Sequence, residues 1–327
     1  MNSDYDLHKF TILDILGQGG FGITYLARDN NLNRLVAIKE YLPMEIAVRE
    51  NDASIQPVSN DHDERFKTGL QRFIDEARTL AKFKHVNIVQ VFSVFTENNT
   101  AYMVMEYESG QSLHAILKQE KRLSESKLRT YLFPILDGLK QVHTAGFIHR
   151  DIKPANIFIR EDGSPVLLDF GSARQSLSSQ TATMPCMFSS GFSPFEQYTG
   201  RSINQGPWTD IYGLGATLYK ATTGRAPADA MDRGAALLQT DRDIYVSIKE
   251  IKPPNCSRAF LYAIDEALHF RPSQRPISIN IWLDMLNKND SPQAVYIRPP
   301  VRSKAVYDVF TAQLTKQEAE EITLNAC

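Results

Sequence analysis

Apolar and polar residues interleave over five short stretches in the first part of the chain: FTILDILG at 10–17, GITYLARD at 22–29, LVAIKEY at 35–41, IVQVFSVF at 88–95 and AYMVMEY at 101–107. A period near two, with turn residues between the runs, predicts short strands, and their close succession predicts an antiparallel sheet. One segment breaks that rhythm. Leu70, Phe73, Ile74, Ala77, Leu80 and Ala81 recur at helical spacing with Glu76 beside the stripe, so one helix is expected to pack on the sheet. From Ser124 onward the period changes. Leu128, Tyr131, Leu132, Ile135, Leu136, Leu139 and Val142 predict a long helix through LRTYLFPILDGLKQVH, which Pro134 can kink without ending. Further helices are expected near 209–224, 257–269 and 277–287. A strand-rich half followed by a helix-rich half packs naturally as two lobes with a cleft between them, an α+β architecture.

Composition narrows the function more than the fold. The chain has 327 residues, 43% of them hydrophobic, enough for one large core or two modest ones. With 36 Lys and Arg against 38 Asp and Glu there is no basic excess to hold a nucleic-acid backbone, and no nucleic-acid partner is expected. Cys186, Cys256 and Cys327 are far apart and odd in number, which argues against a disulfide framework or zinc site and for a reducing, cytoplasmic setting. The start MNSDYDLHKF lacks a basic segment followed by an apolar run, and no stretch of about 18 apolar residues occurs, so neither a secretory signal nor a membrane span is expected. Delivery into another cell by a non-classical route would leave no such mark. Pro292, Pro299 and Pro300 among polar residues mark 289–303 as a linker, so the core is expected to end near 288. Beyond it Val306, Phe310 and Leu314 fall at i, i+4 and i+8, and 304–322 reads either as an amphipathic helix that docks on a partner or as a frayed tail.

The chemistry is carried by glycines, cations and carboxylates at fixed spacing. Gly17, Gly19 and Gly22 form G-x-G-x-x-G between two expected strands, where missing Cβ atoms let backbone amides approach phosphate oxygens. A dinucleotide-binding fingerprint has that spacing but opens a helix, whereas ITYLARD after Gly22 is a strand pattern. On the next strand Val36-Ala37-Ile38-Lys39 places a cation that can hold α- and β-phosphates if a carboxylate orients it, and Glu76 is the carboxylate expected to do so. Directly after the long helix stands His149-Arg150-Asp151-Ile152-Lys153-Pro154-Ala155-Asn156, in H-R-D-x-x-x-x-N spacing, and Asp169-Phe170-Gly171 follows behind the apolar run PVLL.

These motifs, in this order, resemble the protein kinase family over residues 10 to about 286. The resemblance implies a bilobal kinase fold. Its parts would be an N-lobe at 8–107 with an antiparallel sheet and one main helix, a larger helical C-lobe at 108–288, and a linker and tail at 289–327. It also implies transfer of the γ-phosphoryl group of ATP, which needs charge neutralisation and alignment more than covalent chemistry. Asp169 and Asn156 would hold Mg²⁺, or Mn²⁺ in its place, through oxygen donors. Asp151 would orient the acceptor hydroxyl, and Lys153 would sit where charge shifts during transfer. Met105 would close the back of the adenine pocket, Glu106, Tyr107 and Glu108 would form the hinge along adenine, and Ala37 and Phe158 would sandwich the ring. Glu196 and Arg275 match a buried structural ion pair, and Asp210 matches an aspartate that holds the catalytic-loop backbone.

Finer features of the resemblance bear on substrate and control. Lys153 in DIKPAN is the version found in kinases directed at Ser and Thr, and Ser189 stands where such kinases have a threonine that bonds the catalytic Asp and Lys. Ala155 replaces an acid that some relatives use to read arginine in a substrate. Arg150 calls for an anion, and phosphorylation at Ser176, Ser178, Ser179, Thr181 or Thr183 would supply one. Cys186 in the same stretch is the less expected redox handle. A long insertion at 41–65, Thr24 above the adenine and QGPWTDIYGLGATLY resemble a bacterial subgroup. The insertion is read as a passive surface loop, the alternative being one that holds Glu76. Two other functions compete with a Ser/Thr protein kinase that also phosphorylates itself: a nucleotide-binding pseudokinase or scaffold, and a small-molecule phosphotransferase. The presence together of Lys39, Glu76, Asp151, Asn156 and Asp169 argues against the first.

Overall fold

A computed structural model describes residues 4–170, 189–198 and 205–288. The chain divides into two units, Met1–Ser291 and Pro292–Cys327; the second lies outside the described residues, as do the expected linker and amphipathic tail. Among the described residues no helix is long and apolar enough to cross a membrane.

The N-terminal strands form the expected antiparallel sheet. Strands β1 (Asp6–Leu7), β2 (Phe10–Gly19), β3 (Gly22–Asp29), β4 (Arg34–Tyr41), β7 (Val91–Glu97) and β8 (Thr100–Glu106) pair in the order β1-β2-β3-β4-β8-β7. In a flat sheet β2 and β7, four places apart, would be separated by about 19 Å. Yet Phe10 of β2 stacks on Phe95 of β7 with ring centroids 5.9 Å apart, so the sheet curls strongly, as right-handed strand twist favours. Helix α1 (Asp63–Leu80) lies against this sheet with Phe66, Gly69, Phe73, Glu76, Ala77 and Leu80 buried. That face is rotated from the expected stripe, since Ala81 caps the helix and is exposed while Phe66 and Gly69 face inward. The rotation follows from close packing. A Cβ on Gly69 would stand 2.0 Å from the Tyr41 hydroxyl, and only a glycine lets Tyr41 lie against the helix there.

The insertion at 41–65 corrects the sequence reading. It is a folded hairpin, β5 (Ala47–Arg49) with β6 (Ile55–Pro57), and Ile46, Ala47 and Ile55 are buried. Three-residue strands with one buried position each are too short for their period to show, which is why the pattern read as a loop.

Among the described residues the second half is helical apart from a small sheet of β9 (Gly110–Ser112), β10 (Ile157–Arg160) and β11 (Pro165–Leu167). The helices there are α2 (Leu113–Glu120), α3 (Glu125–Thr144), α4 (Phe195–Tyr198), α5 (Pro207–Thr223), α6 (Ala230–Thr240), α7 (Ile248–Ile251), α8 (Arg258–Ala267) and α9 (Ile279–Asn287). Several start where a Ser or Asp side chain accepts an orphan amide, as Ser112, Ser124, Asp229, Ser257 and Ser278 do. Helix α5 is the central element, buried along nearly its whole length, and α3 runs unbroken through Pro134. Gly213 of α5 lets it approach the catalytic segment: a Cβ there would meet the Ile152 carbonyl at 2.8 Å.

Candidate active site

The lobes meet in a cleft of about 620 Å³ whose wall includes Gly17, Gly19, Gly22, Thr24, Ala37, Lys39, Glu76, Met105, Glu106, Tyr107, Glu108, Lys153, Asn156, Phe158 and Asp169. The sequence-expected nucleotide residues thus face one space. Leu16, Phe21, Val89, Ser112 and Leu168 line it as well and were not singled out from the sequence. Leu16, directly before Gly17, is an apolar residue left 46% exposed.

The roof is the turn between β2 and β3. Cβ atoms on Gly17, Gly19 or Gly20 would meet nothing within 4 Å, so these glycines leave open space above the cleft. Gly22 differs: a Cβ there would sit 1.9 Å from the Glu40 carbonyl oxygen, and its lack of a side chain serves packing against β4. Below the roof Ala37 and Met105 are buried directly opposite each other across the β4–β8 ladder, and Glu106 donates its amide to the Gln90 carbonyl at 2.9 Å. Lys39 donates to Asp169 Oδ1 at 2.6 Å, joining the N-terminal sheet to the C-terminal half. Glu76, 6% exposed, lines the same cleft. Asp169 adopts φ +50°, an uncommon left-handed conformation for a residue other than glycine, and such strain is held where surrounding structure fixes it.

The floor is a dense hydrogen-bond network. Asn156 donates to the Asp151 carbonyl at 2.8 Å and to Asp151 Oδ2 at 2.7 Å. Lys153 lies 3.1 Å from Asp151 Oδ2 and donates to Ser189 Oγ at 2.9 Å, while Ser189 Oγ donates to Asp151 Oδ1 at 3.2 Å. The expected bonds of Ser189 to the catalytic-loop aspartate and lysine are therefore present. Arg150 is strained at φ +69°, and buried Asp210 holds it there by accepting the amides of His149 and Arg150, both at 2.8 Å. Gln197 adds a bond to the Arg150 carbonyl at 2.7 Å. His143, which sequence reasoning missed, completes this support by donating to Asp210 Oδ2 at 2.7 Å. Burial works against the Asp210 charge, but His143, His149 and the His149 amide outweigh it and hold the carboxyl below its ordinary value.

His149 links this support to Asp169. Its ring lies 4.3 Å from that of Phe170, it donates through Nε2 to the Leu168 carbonyl at 2.8 Å, and its Nδ1 accepts the Asp151 amide at 3.2 Å. Those roles require the neutral ring, and burial pushes its pKa down accordingly. Burial also lowers the pKa of Arg150, against the charges of Asp210 and Glu76, and Arg150 Nε donates to Gln205 at 3.1 Å. The phosphorylation candidates Ser176, Ser178, Ser179, Thr181 and Thr183, with Cys186, lie outside the described residues.

Glu196 and Arg275 stand apart from the cleft. Arg275 Nη1 and Nη2 donate to the two Glu196 oxygens at 2.6 and 3.2 Å, and Thr209 donates to Glu196 Oε1 at 3.1 Å. Both side chains are almost wholly buried, as expected of a structural pair.

For a metal, Asp169 and Asn156 both line the cleft and carry side-chain oxygens. Among the described residues no group of three or more His, Cys, Asp or Glu could hold an ion unaided. Two oxygen donors beside a phosphate-sized space fit Mg²⁺, which keeps much of its shell for phosphate and water.

Comparison with known proteins agrees with this geometry. The sequence matches the family described as "Protein kinase domain" over residues 10–285. It is 32% identical over 279 residues to serine/threonine-protein kinase PknA of Nostoc sp., covering 82% of this chain and 45% of that one. It is 31% identical over 281 residues to serine/threonine-protein kinase D of Synechocystis sp., covering 82% and 50%. The chain thus spans about half the length of these curated relatives. Among solved structures, the apo form of PpkA-294 superposes with a TM-score of 0.79 at 38% identity, covering 88% of this chain and 99% of that one. A family match across residues 10–285, with every family motif that lies within the described residues converging on one cleft or its support, means that the chain belongs to the protein kinase domain family.

Proposed function

We propose that this chain is a protein serine/threonine kinase that transfers the γ-phosphoryl group of ATP to Ser or Thr hydroxyls of a protein, its own included. The observation that carries the reading is that Lys39, Lys153, Asn156 and Asp169 line one cleft, and that Lys153 and Asn156 are bonded there to the linked pair Asp151 and Ser189. Adenine would lie between Ala37 and Phe158, with Met105 behind it and the backbone of Glu106 to Glu108 along its edge. The open space over Gly17, Gly19 and Gly20 admits phosphate oxygens close to backbone amides. Lys39, oriented by Glu76, would hold the α- and β-phosphates, where a positioned cation acts as an electrostatic clamp. Mg²⁺ held by Asp169 and Asn156 would neutralise charge on the phosphates during transfer.

Asp151 would accept or orient the acceptor proton, and its orientation is already fixed from both carboxylate oxygens by Ser189, Asn156 and Lys153. The bond from Ser189 ties that aspartate to the start of the SSGFSPFEQ segment, which favours an acceptor presented on a protein over a small molecule. Ala155 puts no carboxylate beside the acceptor, so no preference for basic sequences is expected. Incubation of the purified chain with labelled ATP and Mg²⁺, with and without a generic Ser/Thr substrate and beside Asp151→Asn, tests the proposal. Label on Ser or Thr that is lost in the variant is the expected result; ATP binding without transfer to any acceptor would overturn it in favour of a scaffold.

A further inference from the structure

We infer that the segment following β4 is a strap that sets the position of the glycine-rich roof, and that Arg49 is a positioning residue for the phosphates through that strap. The inference rests on the kinase reading above and names how the same site is held. The roof needs an external hold, because its glycines have no side chains with which to fix it. Two backbone bonds supply one. Leu42 donates its amide to the Phe21 carbonyl and Met44 to the Gly20 carbonyl, each at 3.0 Å, which extends the β3–β4 ladder past Gly22 to the tip of the turn. The first residues of the insertion are therefore bonded to the element that would cover the phosphates.

The rest of the insertion anchors that contact. Ile46 and Ala47 close a turn on the Pro43 carbonyl at 3.0 and 2.9 Å, and the chain passes into β5, which ends on Arg49. Arg49 donates to the Ala53 carbonyl at 3.0 Å and pairs with Glu40, which neighbours Lys39 on β4 and is fully buried. The Glu40 carboxylate also accepts the hydroxyls of Tyr25 on β3 at 2.9 Å and Tyr102 on β8 at 2.8 Å. One carboxylate thus ties the strap to three adjacent strands. Burial and the Glu40 charge push both tyrosine hydroxyls up in pKa, so they stay protonated donors. At the far end Ile55 bonds the Asn98 carbonyl at 2.8 Å, and the Asn99 side chain bonds the Ile55 carbonyl at 2.7 Å.

Loss of the guanidinium would leave Glu40 short of its cation and free the hairpin to lift, and the roof would lose its hold. A roof ordered before ATP arrives needs less ordering on binding, so the strap should favour ligands that carry phosphates over those that do not.

The test compares direct binding of ATP and of adenosine to the full chain by calorimetry, in wild type, Arg49→Met, Arg49→Lys and Asn99→Gly, with amide exchange read over 17–22. Arg49→Met is expected to weaken ATP about tenfold with adenosine held within about twofold, to speed exchange at the roof, and to be partly rescued by lysine. If Arg49→Met fails to fold, Asn99→Gly carries the test, since glycine keeps the φ of +56° while removing the side-chain bond; about a twofold to threefold selective loss of ATP is expected. Equal weakening of ATP and adenosine, or no change in either, would overturn the strap. Wild-type chain that binds no ATP would instead overturn the kinase reading itself.

Discussion

The floor and roof of the cleft are built in opposite ways. On the floor, side chains bond each other and strained backbone is clamped: Asp210 holds two amides and His143, while Asn156, Lys153 and Ser189 converge on Asp151. On the roof, Gly17, Gly19 and Gly20 touch nothing that a side chain would meet, and the hold comes from a separate segment. A group that must direct one proton gains from a single fixed geometry, whereas a cover that must admit and release a nucleotide gains from a local hold that can yield. The difference predicts that floor substitutions act on stability and turnover together, and that roof substitutions separate the two.

Asp210→Ala should have the largest effect. It strips the acceptor from two buried amides and from His143, and unmade buried bonds cost about 1–3 kcal/mol each. A loss of roughly 3–5 kcal/mol in urea unfolding, with turnover falling in parallel, is expected. A variant within about 1 kcal/mol of wild type would show that Arg150 keeps its backbone without this clamp.

Lys39→Met tests the join between the two parts. Removing a positioned cation should lower turnover by about 10²–10³-fold. The pair with Asp169 is partly exposed, its side chains 18% and 33% accessible, so its loss should move stability by less than about 1 kcal/mol. A large drop in melting temperature would mean that the bridge holds the lobes together and would blur the division.

Two roof glycines sharpen the comparison. Gly22→Ala drives a Cβ into the Glu40 carbonyl and should cost about 1–3 kcal/mol of stability. Gly19→Ala meets nothing, so its unfolding midpoint should hold while ATP affinity falls. Unfolding and nucleotide titration on both variants would show whether those effects fall as assigned; equal stability losses would remove the distinction.

How much of this was legible in the sequence follows the same divide. Residues contiguous in a motif, such as His149 to Asn156, could be placed because short-range spacing fixes them. Strand β3 has the expected bounds, whereas β7 starts at Val91 instead of 88. Ile88 bridges Leu167 and the Val89 amide bonds the Leu167 carbonyl at 3.0 Å, so pairing with β11 takes residues that periodicity assigned to the N-terminal sheet. The hairpin at 47–57 and the support from His143 were missed for different reasons. The strands of the hairpin are too short for a period to show, whereas the partner of His143 is chosen by the fold: it meets Asp210 across 67 residues, and no period in either stretch announces the other.

The smallest expected effect concerns acid. His149 is fully buried and its pKa is depressed, so the unfolded chain binds a proton near the ordinary histidine value while the folded chain does not. The stability tied to its neutral form is complete above about pH 6.5 and is lost as pH falls through the window below that, toward the depressed folded value. Between pH 6.5 and 5.5 one such proton can cost at most about 1.4 kcal/mol. Asp210 is also held low, but its contribution is lost only at pH below the ordinary carboxylate range, so it does not disturb this window. Urea midpoints at pH 7.5, 6.5 and 5.5, in wild type and in His149→Tyr, separate this ring from the other histidines. The tyrosine keeps an aromatic face for Phe170 but has no proton to gain there. An acid slope that flattens in the variant would place it on the floor's central ring, and an unchanged slope would place it elsewhere and leave the floor, like the roof, indifferent to mild acid.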